Sequence, residues 1–277
     1  MLNTLIIPLT FLVLLIASYV DLKKREVPDW LSYGFLFAIF GIRAIVSIHQ
    51  GWSVLLSGIL GFLLLLGIGY LFYKTSQWGG GDAKLLMGMG AAIGLSWPLQ
   101  PQSLTIIWYF LLLLFLGAAY GLLWIAWLAW KEKTIVAKKF GSTLQEYKYL
   151  HLTLLALSIV LIFLTIYQPL LIWLIPLPLG IFYLLILVHI VEQTCFFKHL
   201  PASRLTEGDW LAEDIMMGST NLPSGTTLSK KDLSLLQKRA KPIRIKEGIP
   251  FVPSFLLAYL AYILSQDFWP FIALLFP

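Results

Sequence analysis

Charged residues and cysteine are both scarce in this 277-residue chain. Charged residues make up 12% of it and apolar residues 59%, whereas soluble domains usually carry about 25% charged residues. This balance excludes a soluble domain, and the apolar content excludes a disordered chain. The single cysteine, Cys195, excludes an internal disulfide and a zinc site built from clustered cysteines. The composition therefore predicts a polytopic membrane protein.

Long apolar runs predict an all-α fold with about eight membrane spans, within a range of six to eight. A helical span needs about 20 apolar residues. The runs cover 2–20, 31–48, 54–73, 85–97, 104–130, 152–167, 170–191 and 249–264. The first is interpreted as a retained helix, because no small-residue cleavage site follows it. The sixth and seventh are separated only by Gln168-Pro169, so they form either a tight hairpin or one broken helix.

Basic residues are distributed very unevenly between the two sides of these spans. Nineteen of the 20 follow the first, third, fifth and seventh runs, and the exception is Arg43 inside the second. Loops rich in Lys and Arg face the cytoplasm. We therefore expect a multi-pass protein of the cytoplasmic membrane with its N-terminus outside. The net charge of +6 reflects this asymmetry, and we predict no nucleic-acid partner.

The segment 192–248 is the one long polar stretch and is predicted to be a small cytoplasmic α+β domain. It separates a transmembrane domain, 1–191, from a C-terminal helix with an interfacial tail, 249–277. Thr227–Ala240 is predicted to be helical, with Ser229 as its cap and Asp232 at the third helical position. Pro242–Lys246 alternates apolar and basic residues as a strand does.

Two aspartates stand where a predicted span meets the cytoplasm. Asp21 ends the first run, and Asp82 follows three glycines, 79–81, at the start of the fourth. Each has a plain structural interpretation: Asp82 as a helix cap, and Asp21 as a solvated residue beside Lys and Arg. The glycines would also suit anion binding at a helix N-terminus, although Asp82 would repel a phosphate. Against these, a glycine run permits positive φ and close approach of another chain, and carboxylates at membrane depth are usually functional.

A pair of aspartates on one membrane face is sufficient for peptide hydrolysis. One acts as general base on a water, while its protonated partner polarises the scissile carbonyl and then protonates the amine. Two close carboxylates share one proton and titrate as a unit. This chemistry requires no metal, cofactor or Ser or Cys nucleophile, and we expect none here.

These residues resemble a known family. Asp21-Leu22-x4-Val27-Pro28-Asp29 and Gly79-x-Gly81-Asp82-x-Lys84 are similar to the motifs of type IV prepilin peptidases and archaeal preflagellin peptidases, the GxGD aspartic proteases of membranes. The resemblance covers roughly 1–130 and continues weakly around 207–214 and 247–251. It implies that Asp21 and Asp82 are catalytic, that Gly79, Gly81, Lys84 and Pro28 support the motifs, and that 1–191 is the catalytic domain. It also implies prepilin- or preflagellin-like substrates, cleaved after a short basic leader at the cytoplasmic boundary of the bilayer.

The chain departs from bacterial members of that family in its first loop, which lacks their four-cysteine element. An archaeal type is therefore favoured, and no methyltransferase activity is predicted. Lys84 is interpreted either as tuning the aspartates or holding substrate, or as an ordinary interfacial lysine. Pro28 is predicted to be the first residue of the second span. Glu207, Asp209, Glu213 and Asp214 form an acidic cluster, either a receptor for a basic leader or a solvated face.

The main rival hypothesis is a proton- or cation-coupled transporter that uses the same two carboxylates. Transporters place such groups near the bilayer midplane and are built from internal repeats. Both aspartates lie at one predicted boundary, and no clear repeat relates the two halves of the sequence. A third hypothesis is a non-catalytic assembly scaffold that acts through 192–248.

Overall fold

The fold is described from a computed structural model, which covers residues 2–75, 77–99, 101–206, 208–217, 220–236 and 242–265. The predicted interfacial tail and Glu207 lie outside the described residues. The helices are α1 (Leu2–Lys24), α2 (Asp29–Gln50), α3 (Ser53–Lys74), α4 (Gly80–Ile93), α5 (Thr105–Lys131), α6 (Lys133–Glu146), α7 (Lys148–Leu164), α8 (Leu177–Val191), α9 (Lys230–Leu236) and α10 (Val252–Ser265). The strands are β1 (Phe197–Leu200), β2 (Trp210–Leu211), β3 (Ile215–Met217), β4 (Thr220–Leu222) and β5 (Ile243–Lys246).

The prediction of a polytopic helical membrane protein is confirmed, with fewer full-length spans than the apolar runs suggested. Five helical stretches in the described chain are long and apolar enough to cross a bilayer: α1, α2, α3, α5 and Pro169–Phe196, which contains α8. A sixth results if α6 and α7, which bend by 80° at their junction, count as one. The predicted fourth and eighth spans are helices of 14 residues each. At 1.5 Å per residue α4 reaches about 21 Å, short of the roughly 30 Å hydrocarbon core, and α10 is described as far as Ser265.

The chain divides into two compact units. One runs to Gly121 and resumes at Gly248, and the other is Leu122–Glu247. The first boundary therefore falls within α5. The second unit includes helices α6 to α8 as well as the polar segment predicted to start at 192.

Close helix contacts through glycine hold the first unit together. The buried face of α3 consists of Gly58, Gly61, Leu65 and Gly69, and α4 packs against it. Small residues let helix backbones approach closely in a membrane, where van der Waals contact drives association. The N-terminal helix α1 packs on α10, so the two distant parts of this unit share one core.

Arg43, the one basic residue inside a predicted span, is buried in this unit; both terminal nitrogens of its guanidinium are hydrogen-bonded, whereas Nε has no partner among the described residues. Its guanidinium donates to Val54 O at 2.8 Å, to Ser57 Oγ at 2.9 Å and to Ala92 O at 2.9 Å. The absence of a side chain at Gly94 makes the room, since a Cβ there would lie 2.7 Å from Arg43 Nη2. Arg43 thus joins α2, α3 and α4 through backbone carbonyls, which explains how a charge is accommodated in an apolar run.

The second unit contains the predicted strand and capped helix. Strand β5 lies at the centre of a three-stranded antiparallel sheet, between β1 and β2, and β3 pairs with β4. The apolar residues of β5, Ile243 and Ile245, are buried in a small core. Helix α9 begins after Ser229, which exchanges hydrogen bonds with Asp232, so the predicted cap is confirmed; residues 237–240 of the predicted helix lie outside the described residues.

Candidate active site

Asp21 lies in the last turn of α1, with 6% of its surface exposed. Its Oδ2 accepts the backbone N–H of Val252 at 2.9 Å. Val252 is the first residue of α10, where backbone N–H groups have no partner within their own helix. A carboxylate is favourable at such a terminus. The contact fixes the orientation of the Asp21 carboxylate from a residue 231 positions away.

The turn after α1 strengthens this junction. Arg25 adopts φ 61°, and its backbone N–H returns to Asp21 O at 2.8 Å. Its Nη1 donates to Gly248 O at 3.1 Å. The end of α1 is therefore held against the segment that leads into α10.

Asp82 is the third residue of α4 and is half-buried. Its Oδ2 accepts the backbone N–H of Gly79 at 3.3 Å. This is the capping arrangement considered from the sequence, and it engages one carboxylate oxygen. Oδ1 accepts no hydrogen bond from the described residues, so it remains available to a water or a substrate.

The glycines before Asp82 allow close approach of a neighbouring segment, and none of the three adopts the positive φ that glycine permits. Gly79 has φ −69°, and none of the three has a positive φ. A Cβ at Gly81 would lie 3.1 Å from Val27 Cβ and 3.5 Å from Val27 N. The loop between α1 and α2 therefore passes directly over Gly81, so the backbone that comes close to this glycine belongs to the same chain.

The two helices that carry the aspartates, α1 and α4, contact each other. Both carboxylates lie at helix ends, one in the last turn of α1 and one in the first turn of α4.

Sequence comparison matches this part of the molecule to known proteins. Residues 9–126 match the type IV leader peptidase family. Over this segment the chain is similar to that family. The segment contains both Asp21 and Asp82, together with the glycines and the loop over them.

Three curated preflagellin peptidases match the chain as well. That of Methanococcus maripaludis is 36% identical over 85 residues, that of Methanococcus voltae 38% over 81, and that of Methanocaldococcus jannaschii 37% over 82. Each match covers 29% of this chain and 34–35% of the relative. The chain thus spans about a third of the length of the curated relatives that it matches. No solved structure matches it.

Two further motif residues of the leader peptidase segment, Lys84 and Pro28, make contacts at the start of α2. Lys84 forms an ion pair with Asp29 Oδ1 and lies 5.5 Å above the Tyr33 ring. It therefore links α4 to the start of α2, a role that neither sequence interpretation included. Pro28 is the cap of α2, which begins one residue later than predicted, at Asp29.

An aromatic group lines the same region and was missed by sequence reasoning. Trp78, just before the glycines, stacks on Phe72 at 4.8 Å between ring centroids. It also contacts Phe251 at 5.5 Å and Phe255 at 5.8 Å. The position of Trp78 directly before the glycine motif could have indicated this aromatic group. The sequence signal for the contribution of α10 was the weak family likeness around 247–251.

Of the three described acids of the predicted acidic cluster, Asp209 and Asp214 are used in local turns, and Glu213 Oε1 accepts the backbone N–H of Arg244 in β5 at 3.4 Å. Asp209 Oδ2 accepts the Thr206 N–H at 2.8 Å, and Asp214 Oδ1 accepts the Ser224 N–H at 2.6 Å. The Ser224 backbone bond holds the pKa of Asp214 below its usual value. These contacts favour the structural interpretation over a leader receptor. Across the described chain, no three His, Cys, Asp or Glu side chains are grouped to hold a metal ion.

Proposed function

We propose that the chain is a membrane aspartic endopeptidase that removes the short basic leader from prepilin- or preflagellin-like proteins at the cytoplasmic boundary of the bilayer. The observation that supports the proposal is the contact between α1 and α4, the helices that carry Asp21 and Asp82, inside the segment that matches the leader peptidase family. The curated relatives are preflagellin peptidases, which supports this class of substrate.

In the proposed reaction, the two aspartates and one water hydrolyse the peptide bond. One carboxylate takes a proton from the water as its oxygen attacks the scissile carbonyl carbon. The protonated partner donates a hydrogen bond to the carbonyl oxygen, then gives its proton to the departing amine as the C–N bond breaks. The unengaged Oδ1 of Asp82 is the atom free to meet water or substrate, and the Val252 N–H orients Asp21.

The location of the carboxylates favours hydrolysis at the membrane boundary over transport. Both lie in terminal helical turns, whereas a transporter would place ion-binding groups near the midplane. The uneven distribution of basic residues supports a cytoplasmic location for these helix ends and for 192–248, with the N-terminus outside.

The test is co-expression with a tagged prepilin-like protein, followed by immunoblotting for loss of the leader. We expect wild type to process the substrate and Asp21→Asn and Asp82→Asn to fail. The matched control is Glu26→Gln, which removes an exposed carboxylate from the loop between α1 and α2 and should leave processing intact. Full processing by either folded aspartate variant would refute the two-aspartate mechanism, and no processing of preflagellin or prepilin by wild type would refute the function.

A further inference from the structure

The second unit contains a polar pocket remote in sequence from the aspartates. It encloses about 440 Å³ and is lined by Lys139, His189, Glu192, Gln193, Phe197 and Arg244. That volume lies in the range of pockets that bind small ligands and exceeds what a bare inorganic ion fills. The lining comes from α6, the end of α8 and two adjacent strands, β1 and β5.

Two cations in this pocket lack an anionic partner. Glu192, the one acid in the lining, is paired with Lys246. Among the described residues, the side chains of Lys139 and Arg244 meet no hydrogen-bond acceptor or carboxylate. Since buried or half-buried cations are normally paired, the pocket favours an anion.

The Arg244 guanidinium is held in position by an aromatic ring. It lies over the Phe197 ring at 4.3 Å from the centroid, and the paired strands β1 and β5 fix both residues. A guanidinium stacked in this way keeps its N–H edges directed away from the ring, and their fork geometry matches phosphate oxygens.

The pocket lies at the polar end of an apolar helix. The helical stretch Pro169–Phe196 has 28 residues, which is roughly 40 Å of helix, longer than the hydrocarbon core. His189, Glu192 and Gln193 fall in its last turns, where polar residues replace the apolar run. Helix α6, which contributes Lys139, also carries Lys133 and Lys138. Basic pockets at this depth suit the headgroups of anionic lipids.

We propose that this pocket binds the phosphate group of an anionic membrane lipid, with Arg244 and Lys139 as the phosphate ligands. The headgroup enters from the bilayer at the end of α8, and its acyl chains stay beside the apolar helix. This inference does not rest on the peptidase function.

The test is a titration of the full-length chain, purified in a neutral detergent, by native mass spectrometry. The probes are a short-chain phosphatidylglycerol, the phosphatidylcholine of equal chain length, and inorganic phosphate. We expect the phosphatidylglycerol to bind more tightly than the phosphatidylcholine, with Lys139→Gln and Arg244→Gln each weakening it by about fivefold. The matched control is Lys138→Gln, which removes the same charge from the same helix at an exposed position and should leave binding unchanged.

Several results would overturn the proposal. Equal binding of both lipids would show that no anion site exists. An equal loss in the Lys138→Gln and Lys139→Gln variants would show general surface attraction. If inorganic phosphate saturated the pocket at concentrations as low as the lipid does, the ligand of the pocket would be a free phosphate compound and not a lipid. If Arg244→Gln disturbs the sheet, Lys139→Gln decides the outcome alone, because Lys139 lies on helix α6 outside the sheet.

Discussion

The substitution Gly61→Ala should lower the rate of cleavage by displacing α4, the helix that carries Asp82. Gly61 lies on the face of α3 that packs against α4. A Cβ there would lie 2.8 Å from Gly94 Cα and would overlap the Gly90 carbonyl oxygen. Ordinary contacts of this kind are 3.4 Å or more, and both neighbours are backbone atoms that cannot rotate away. Gly61→Ala must therefore push α4 away from α3 by between about half an ångström and one ångström.

The size of the effect follows from that displacement, because α4 carries Asp82 in its first turn. A misplacement of about 1 Å in a catalytic group costs on the order of 100-fold in rate. The assay is the rate of leader removal by purified enzyme in detergent, with thermal unfolding recorded alongside. The matched control is Gly67→Ala on the same helix, where a Cβ would meet nothing within 4 Å. We expect the control to keep the wild-type rate, and equal rates for the two variants would refute the role assigned to the α3–α4 contact.

Three further predictions concern separate contacts. Val252→Pro removes the N–H that donates a hydrogen bond to Asp21, at a helix position that tolerates proline, and should slow cleavage by roughly tenfold. The control variant Val252→Ala keeps this N–H, so equal rates for the two variants would contradict the positioning role of Val252. Arg43→Leu removes the guanidinium that donates to three acceptors and should lower the free energy of unfolding by on the order of 3 kcal/mol. Arg43→Lys should lower it less, and an unchanged thermal unfolding curve would show that the stability of the fold does not depend on Arg43. The Ser229 side-chain bond holds the pKa of Asp232 below its usual value, so this cap stabilises α9 fully above about pH 4 and loses its effect as the pH falls through the lowered pKa. Asp232→Asn should remove this acid-side change, followed as the NMR shift of the Ser229 amide, and a persistent change would assign it to another group.

The parts of the fold that the sequence predicted are those with local signals. Apolar runs long enough to cross a bilayer predicted α1, α2, α3 and α5, and the alternation of apolar and basic residues predicted β5. The two candidate catalytic residues were recognisable because a carboxylate is costly at membrane depth and because each lies in a distinctive motif.

The contacts that the sequence did not predict are those between segments that lie far apart along the chain. The bond from Val252 to Asp21 joins opposite ends of the chain, and no periodicity encodes such a pairing. Lys84 and Asp29 are each ordinary interfacial residues in sequence, and only the packing of α4 beside α2 makes them an ion pair. Apolar runs do not fix the exact number of spans, because apolar content alone does not distinguish a short packed helix, such as α4, from one that crosses the bilayer.

The central claim, that Asp21 and Asp82 act as one catalytic pair, is tested most directly by comparing single and double variants. The measurement is the rate of leader removal by purified Asp21→Asn, Asp82→Asn and the variant carrying both. Residues that act as a unit are strongly non-additive, so we predict that each single substitution abolishes as much activity as the double one. Losses that multiply in the double variant, or a single variant that retains the wild-type rate, would contradict the account.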